Sequence, residues 1–161
     1  MLEEHPLSAT THDRAAFDCG VPALNEYLQR FALQQSKKGI TAVHVLVDSR
    51  APSVILGYYT LSAAQIDVDQ LSPEQQRKLP RYPLPCFRMG RLAASADHHG
   101  RGIGKLLVGC AVDRCLQARK QVAAYALIVD AKDERAKSFY LHYGFVALRD
   151  HPLTLFLGLG S

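Results

Sequence analysis

The sequence predicts a mixed α/β fold, and three observations carry that expectation. Residues 22–38 place apolar side chains at helical spacing: Leu24, Tyr27, Leu28 and Phe31 recur at i, i+3, i+4 and i+7. Residues 41–47 and 54–63 are rich in β-branched and aromatic side chains and read as strands. A third strand-like stretch, residues 86–94, runs into a loop holding Gly100, Gly102 and Gly104, where a helical pattern begins.

The remaining elements follow in order. Pro22 opens the first helix, because proline is tolerated in a first turn, and Gly39 closes it. Residues 48–53 form the turn between the two early strands. Ser72, Pro73, Glu74 and Gln75 read as a helix start. Pro80, Pro83 and Pro85 then forbid regular structure until about Cys86. Residues 102–119 are helical, with Ile103, Leu106, Leu107, Cys110 and Ala111 on one face. Residues 122–129 form an apolar strand. Residues 133–143 are helical and stop at Gly144. Residues 145–148 and 153–159 finish as two strands.

Length and composition narrow the class. A chain of 161 residues is expected to form one domain, residues 1–161. With 48% hydrophobic and 21% charged residues it is expected to bury a core. No apolar run approaches the roughly 18–20 residues of a membrane span. The first residues lack the basic start and apolar stretch of a signal peptide, so a cytoplasmic location and no membrane partner are expected. Cys19, Cys86, Cys110 and Cys115 form no C-x-x-C pair and are expected to be reduced, mostly buried thiols. Adjacent His98 and His99 point in different directions and find no third ligand at a recognisable spacing, so no metal is expected.

The net charge of +4 is uneven. Residues 1–76 carry five basic and nine acidic side chains. Residues 77–105 carry Arg77, Lys78, Arg81, Arg88, Arg91, Arg101 and Lys105 against Asp97 alone. Residues 106–161 carry seven basic and five acidic side chains. A basic middle segment suits a polyanionic partner.

The glycine loop is the most informative stretch. Glycines let backbone approach a ligand closely, and a helix start offers unpaired N–H groups and partial positive charge. Together these make a phosphate cradle. It is not a P-loop, since Leu106 follows Lys105 where a Ser or Thr is needed. It is not a dinucleotide fingerprint either, because Leu107 stands where the third glycine is needed.

His99, Gly100, Arg101, Gly102, Ile103 and Gly104 resemble the pyrophosphate turn of the GCN5-related N-acetyltransferase (GNAT) family, with His99 in place of Gln or Arg. The stretch from Asp133 through Ala136, Phe139 and Tyr140 to Gly144 and Phe145 resembles that family's late helix. The resemblance covers nearly the whole chain. It implies the GNAT fold, a central mixed, mostly antiparallel sheet flanked by helices, and acetyl-CoA as co-substrate. Phe17, Asp18, Leu24, Asn25, Tyr27 and Leu28 are similar to the opening of the TacT-like toxin branch, as are Arg91, Leu92 and Ala93 and the closing residues 154–157. That likeness implies acetylation of aminoacyl-tRNA, which stops translation, and a ribbon-helix-helix antitoxin as partner. A homodimer is left open. Two alternatives are kept: acetylation of a small-molecule or protein amine, and a non-enzymatic acyl-CoA-binding regulatory module.

Residues are assigned on that basis. The strand at Leu92, Ala93 and Ala94 is expected to pair its backbone with the pantetheine amides, as an edge strand accepts a further strand. His99, Gly100, Arg101, Gly102, Ile103, Gly104 and Lys105 are expected to hold the pyrophosphate. Tyr140 is the expected general acid, since a phenol with an ordinary pKa of about 10 stays protonated at neutral pH. Tyr143 shares its periodicity. No general base stands out. An α-amine has a pKa near 7.7–8.0 and is partly neutral already, so it needs less help than a lysine near 10.4. Arg77, Lys78, Arg81 and Arg91 are the expected nucleic-acid contacts. An odd separation on one strand sends Arg88 and Arg91 to opposite faces, and Arg91 is preferred because it adjoins the expected pantetheine strand.

Overall fold

The computed structural model describes residues 1–160. Strand β1 is Leu2–Pro6, and helix α1, Pro22–Glu26, passes through a π turn, Tyr27–Phe31, into α2, Ala32–Lys37. Strands β2, Ala42–Asp48, and β3, Gly57–Ile66, follow, then a short helix α3, Pro73–Gln76, and β4, Leu84–Met89. After β5, Leu92–Ala94, come the long helix α4, Ile103–Ala118, and β6, Ala126–Asp130. Helix α5 is Glu134–His142, and β7, Val146–Ala147, and β8, Thr154–Gly158, end the chain. The class is mixed α/β with mostly antiparallel strands, as expected. The chain divides into two compact units, the first of residues 1–62 and 91–111, the second of residues 63–90 and 112 onward.

In the first unit β1, β2 and β3 form an antiparallel set, and β5 adds to β3 with Tyr58 opposite Ala93. Alternation divides the two faces of β2. Val43, Val45 and Val47 pack with Phe17, Leu28, Ala32 and Tyr58 in one core. His44, on the other face, stacks its ring on Tyr59 at 5.2 Å.

The second unit holds the end of β3, then β4, β6, β8 and β7. Strand β4 pairs parallel with β6, Cys86 opposite Ala126. The other pairs, β6 with β8 and β8 with β7, are antiparallel. Ile66, Leu71, Leu84, Cys86, Ile128, Leu148 and Phe156 form its core.

Three expectations need correction, and one strand was not expected. The first helix is not uniform. A π turn accommodates an extra residue, so the buried face moves on by one position. Ala32 is therefore fully buried, while Phe31, expected inside, is 45% exposed. Residues 2–6 form an edge strand that composition hides behind two glutamates, a histidine and a proline.

The stretch at 86–94 is two strands. Gly90 and Arg91 interrupt it, and β4 and β5 pair with different partners. At the break the Arg91 N–H donates to Thr60 Oγ1 at 3.1 Å, so a side chain replaces the carbonyl of a regular ladder. The alternation argument separating Arg88 from Arg91 fails for that reason. On α4 the buried stripe is Ile103, Leu107, Ala111 and Cys115, while Leu106 is exposed.

Cys19, Cys86 and Cys115 are buried, and Cys110 is half-buried. Burial pushes the Cys115 thiol up to about 12, which keeps it unreactive. No helix among the described residues is long and apolar enough to cross a membrane.

Candidate active site

The glycine turn is built on a close approach in the first unit. A Cβ at Gly57 would lie 2.8 Å from Leu107 Cδ1 and 2.9 Å from the Ala93 carbonyl oxygen. Only glycine lets β3 sit this near both β5 and α4. Sequence reasoning missed Gly57. The signal was present, because a glycine inside a strand marks close backbone approach.

From β5 the chain enters a 3₁₀ turn, Ala96–His98. The Ala96 N–H donates to the Asp18 carbonyl and the Ser95 N–H to the Leu56 carbonyl, both at 2.8 Å. Asp18 is itself fixed: its Oδ1 accepts from the Gly20 N–H at 2.8 Å and from Asn25 Nδ2 at 2.9 Å. The opening motif of the chain thus buttresses the turn. Phe17, Tyr27 and Leu28 anchor it in the core, and Tyr58 ties its hydroxyl to the Leu24 carbonyl at 2.6 Å.

Gly100 and Gly102 have φ of +83° and +74°, the left-handed region that favours glycine. Open space surrounds both Cβ positions, so the requirement is conformational and not steric. The first helical bond runs from the Leu106 N–H to the Gly102 carbonyl at 3.0 Å. The N–H groups of Ile103, Gly104 and Lys105 therefore precede the ladder of α4. No acidic residue stands in that first turn. Arg101 and Lys105 are exposed and make no ion pair among the described residues. His99 turns its Nε2–H back to the Ala94 carbonyl at 3.1 Å, so its ring braces the loop. These features fit a pyrophosphate.

Arg91 is half-buried, with its guanidinium carbon 3.5 Å from the centroid of the Tyr27 ring. That is a cation–π contact, and it fixes the start of β5.

In the second unit, Tyr140 lies on α5 and is 6% exposed. The Phe139 and Phe145 rings meet it edge-on at 5.3 and 5.4 Å. Burial, with the nearby Asp130 carboxylate, pushes its phenol up to about 12. It stays a proton donor at neutral pH. Asp130 is held by Arg88 Nη1 at 2.6 Å and Thr154 Oγ1 at 3.3 Å.

Asp133 caps α5, its Oδ1 accepting from the Ala136 N–H at 2.8 Å. At the other end the Tyr140 carbonyl accepts from the Tyr143 and Phe145 N–H groups, with Gly144 at φ +93°. Tyr143 is less buried and packs its ring on Phe139 at 5.0 Å.

The basic segment proves divided. Arg88 is paired with Asp130, and Arg91 is stacked on Tyr27. Arg77, Lys78 and Arg81 are exposed. Arg81 shares a cleft of about 270 Å³ with Asp67, Asp69, Gln76 and Tyr82, so acids offset part of its charge. Among the described residues no three His, Cys, Asp or Glu side chains are grouped to hold a metal ion.

A glycine-shaped helix start and a buried, protonated phenol are the parts an acyl transfer needs. Residues 43–147 match a family model described as an acetyltransferase (GNAT) domain, and the chain belongs to that family of N-acetyltransferases. The fold and family expected from the motifs are thereby met. Within the family, the chain is 31% identical to a tRNA-acetylating toxin of Mycobacterium tuberculosis, over 90% of this chain and 85% of that one. It superposes on AtaT complexed with acetyl-methionyl-tRNAfMet with a TM-score of 0.92 and 30% identity, covering 98% of this chain and 95% of that one. A tyrosine-to-phenylalanine variant of AtaT, bound to the C-terminus of the antitoxin AtaR and to acetyl-CoA, gives a TM-score of 0.84 and 28% identity, covering 98% and 93%.

Proposed function

We propose that this protein is a toxin that moves the acetyl group of acetyl-CoA onto the amino group of an aminoacyl-tRNA and so blocks translation. The observation that carries this reading is its likeness, over almost the full chain, to AtaT holding an acetylated aminoacyl-tRNA. Residues 1–161 act as one acetyltransferase domain, a view supported by β3 and α4, each of which runs from one unit into the other.

In this reading the backbone of Leu92, Ala93 and Ala94 pairs with the pantetheine amides. The N–H groups of Ile103, Gly104 and Lys105 take the pyrophosphate. Gly100 and Gly102 shape the approach, and Arg101 and Lys105 add charge. His99 contributes by bracing the loop. The neutral α-amine attacks the thioester carbonyl, the C–S bond breaks, and Tyr140 gives its proton to the departing thiolate. The amine's excess proton leaves to water. Arg77, Lys78 and Arg81 meet tRNA phosphates. Arg91 joins them with its guanidinium already stacked on Tyr27.

A cytoplasmic location is supported by the proposed substrates, both of which are pools of the cytoplasm. An antitoxin partner is supported by the AtaT complex with the C-terminus of AtaR, and its ribbon-helix-helix type is what the TacT-like resemblance implies. The test is release of CoA thiol from acetyl-CoA, followed with charged tRNA, uncharged tRNA and a cationic small amine. The proposal expects turnover with charged tRNA alone. Turnover with the small amine and none with charged tRNA would overturn it.

A further inference from the structure

The first helix carries a basic cleft that none of the residues assigned above uses. Arg14, Arg30, Leu33, Gln34, Lys37 and Lys38 line a cavity of about 420 Å³, all within the first unit. Four cations face it, and no acid lines it. Charge counting hid this surface, because residues 1–76 carry nine acids against five bases. Four of those five bases line this one cleft, and the fifth, Arg50, is paired with Asp48 at 2.9 Å.

The placement is built. Arg14 comes from the loop before α1 and donates from Nη1 to the Gln29 carbonyl at 3.5 Å. The π turn shifts the helix register, so Arg30, Leu33, Gln34 and Lys37 border the cleft while Ala32 turns inward. Among the described residues, of these four cations only Arg30 is in an ion pair, with Glu26 at 3.5 Å, exposed and of little strength, while Asp13 borders Arg14 on an adjoining cleft. Arg14, Lys37 and Lys38 make no ion pair among the described residues. Lys37 and Lys38 complement the helix dipole at its C-terminus. That effect explains neither Arg14, which reaches in from another segment, nor Arg30, about two turns earlier.

We propose that this cleft binds the phosphate backbone of the tRNA substrate. The inference rests on the aminoacyl-tRNA reading above and adds a second contact surface to it. Four cations on one concave surface match consecutive phosphates of a nucleic-acid strand. Such contacts position the substrate without reading its sequence, so every tRNA is held alike.

Filter retention of uncharged tRNA across a salt series tests it, with no acetyl transfer involved. Arg30→Gln with Lys37→Gln and Lys38→Gln should weaken binding at least about tenfold near 0.1 M salt and flatten the salt slope by roughly three. Lys37→Gln with Lys38→Gln alone should flatten it by roughly two. Acetyl-CoA affinity reports whether each variant is folded, and the double variant keeps the test open should the triple one fail. Unchanged affinity and slope in a folded variant would overturn the cleft, as would a parent that does not retain tRNA. A parent that retains tRNA through these residues but acetylates no charged tRNA would overturn the functional reading and leave the cleft standing.

Discussion

In the function we propose, residues 99–105 offer backbone to the reaction and residues 134–142 offer one side chain. The turn before α4 depends on conformation: two glycines at positive φ, N–H groups ahead of the helical ladder, and a histidine folded back onto Ala94. Its polar side chains, His99, Arg101 and Lys105, are exposed, while Ile103 is buried in the core. On α5 the situation is reversed. Aromatic rings surround Tyr140, the helix is capped at Asp133 and closed at Gly144, and all of this positions a single hydroxyl. A backbone site should therefore tolerate loss of side chains and fail when a Cβ or a charge is added. A side-chain site should fail on loss of one oxygen atom.

The largest effect should follow from Tyr140→Phe. Removing the acid is expected to lower kcat by about 10²–10⁴-fold while acetyl-CoA affinity, read by calorimetry, stays unchanged. A normal kcat here, with collapse in Tyr143→Phe, would transfer the role to the neighbour.

Next comes the backbone site. Gly102→Asp forces a left-handed side-chain residue and sets a negative charge beside the pyrophosphate, so acetyl-CoA affinity should fall more than tenfold, about 1.4 kcal/mol. Gly57→Ala should cost about 1–3 kcal/mol of stability in denaturant titration, because its methyl meets the Ala93 carbonyl and Leu107. His99→Ala should change acetyl-CoA affinity far less than Gly102→Asp. Equal losses in the two would mean that the imidazole itself holds the cofactor.

The phenol also links stability to pH. Its folded pKa, about 12, lies above the unfolded value of about 10, so the native state holds the proton more tightly. That contribution is complete below pH 10 and is lost as pH rises towards 12. Its full size is about 2–3 kcal/mol. Stability measured at pH 9 and pH 11 should therefore fall more in the parent than in Tyr140→Phe. The smallest effect belongs to Asp133→Ala, which removes a helix cap and should cost about 1 kcal/mol without altering acetyl-CoA affinity.

The two regions were not equally legible in the sequence. Gly100, Gly102 and Gly104 before an apolar helix announce a cradle, because glycine has few other reasons to recur there. Tyr140 could be separated from Tyr143 only by family pattern, since periodicity treats them alike, and burial distinguishes them in the fold. The strand break at Gly90 and Arg91 was not legible, because it depends on Thr60, 31 residues away in sequence. The π turn left no mark in the apolar spacing, which fits Phe31 as well as Ala32. The basic segment misled for a related reason. Counting charge cannot show that Arg88 meets Asp130, that Arg91 meets Tyr27, or that Arg14 joins Arg30, Lys37 and Lys38 beside the π turn and α2.

The central proposal is that the protein transfers the acetyl group of acetyl-CoA to the amino group of an aminoacyl-tRNA, with Tyr140 as the proton donor. A single-turnover experiment with labelled acetyl-CoA and charged tRNA tests it most directly, followed by release of the amino acid and its identification. The account predicts label on the α-nitrogen of the amino acid, formed by the parent and slowed at least about a hundredfold in Tyr140→Phe. Label on a lysine side chain or a small amine, with charged tRNA untouched, or an unslowed Tyr140→Phe, would contradict it.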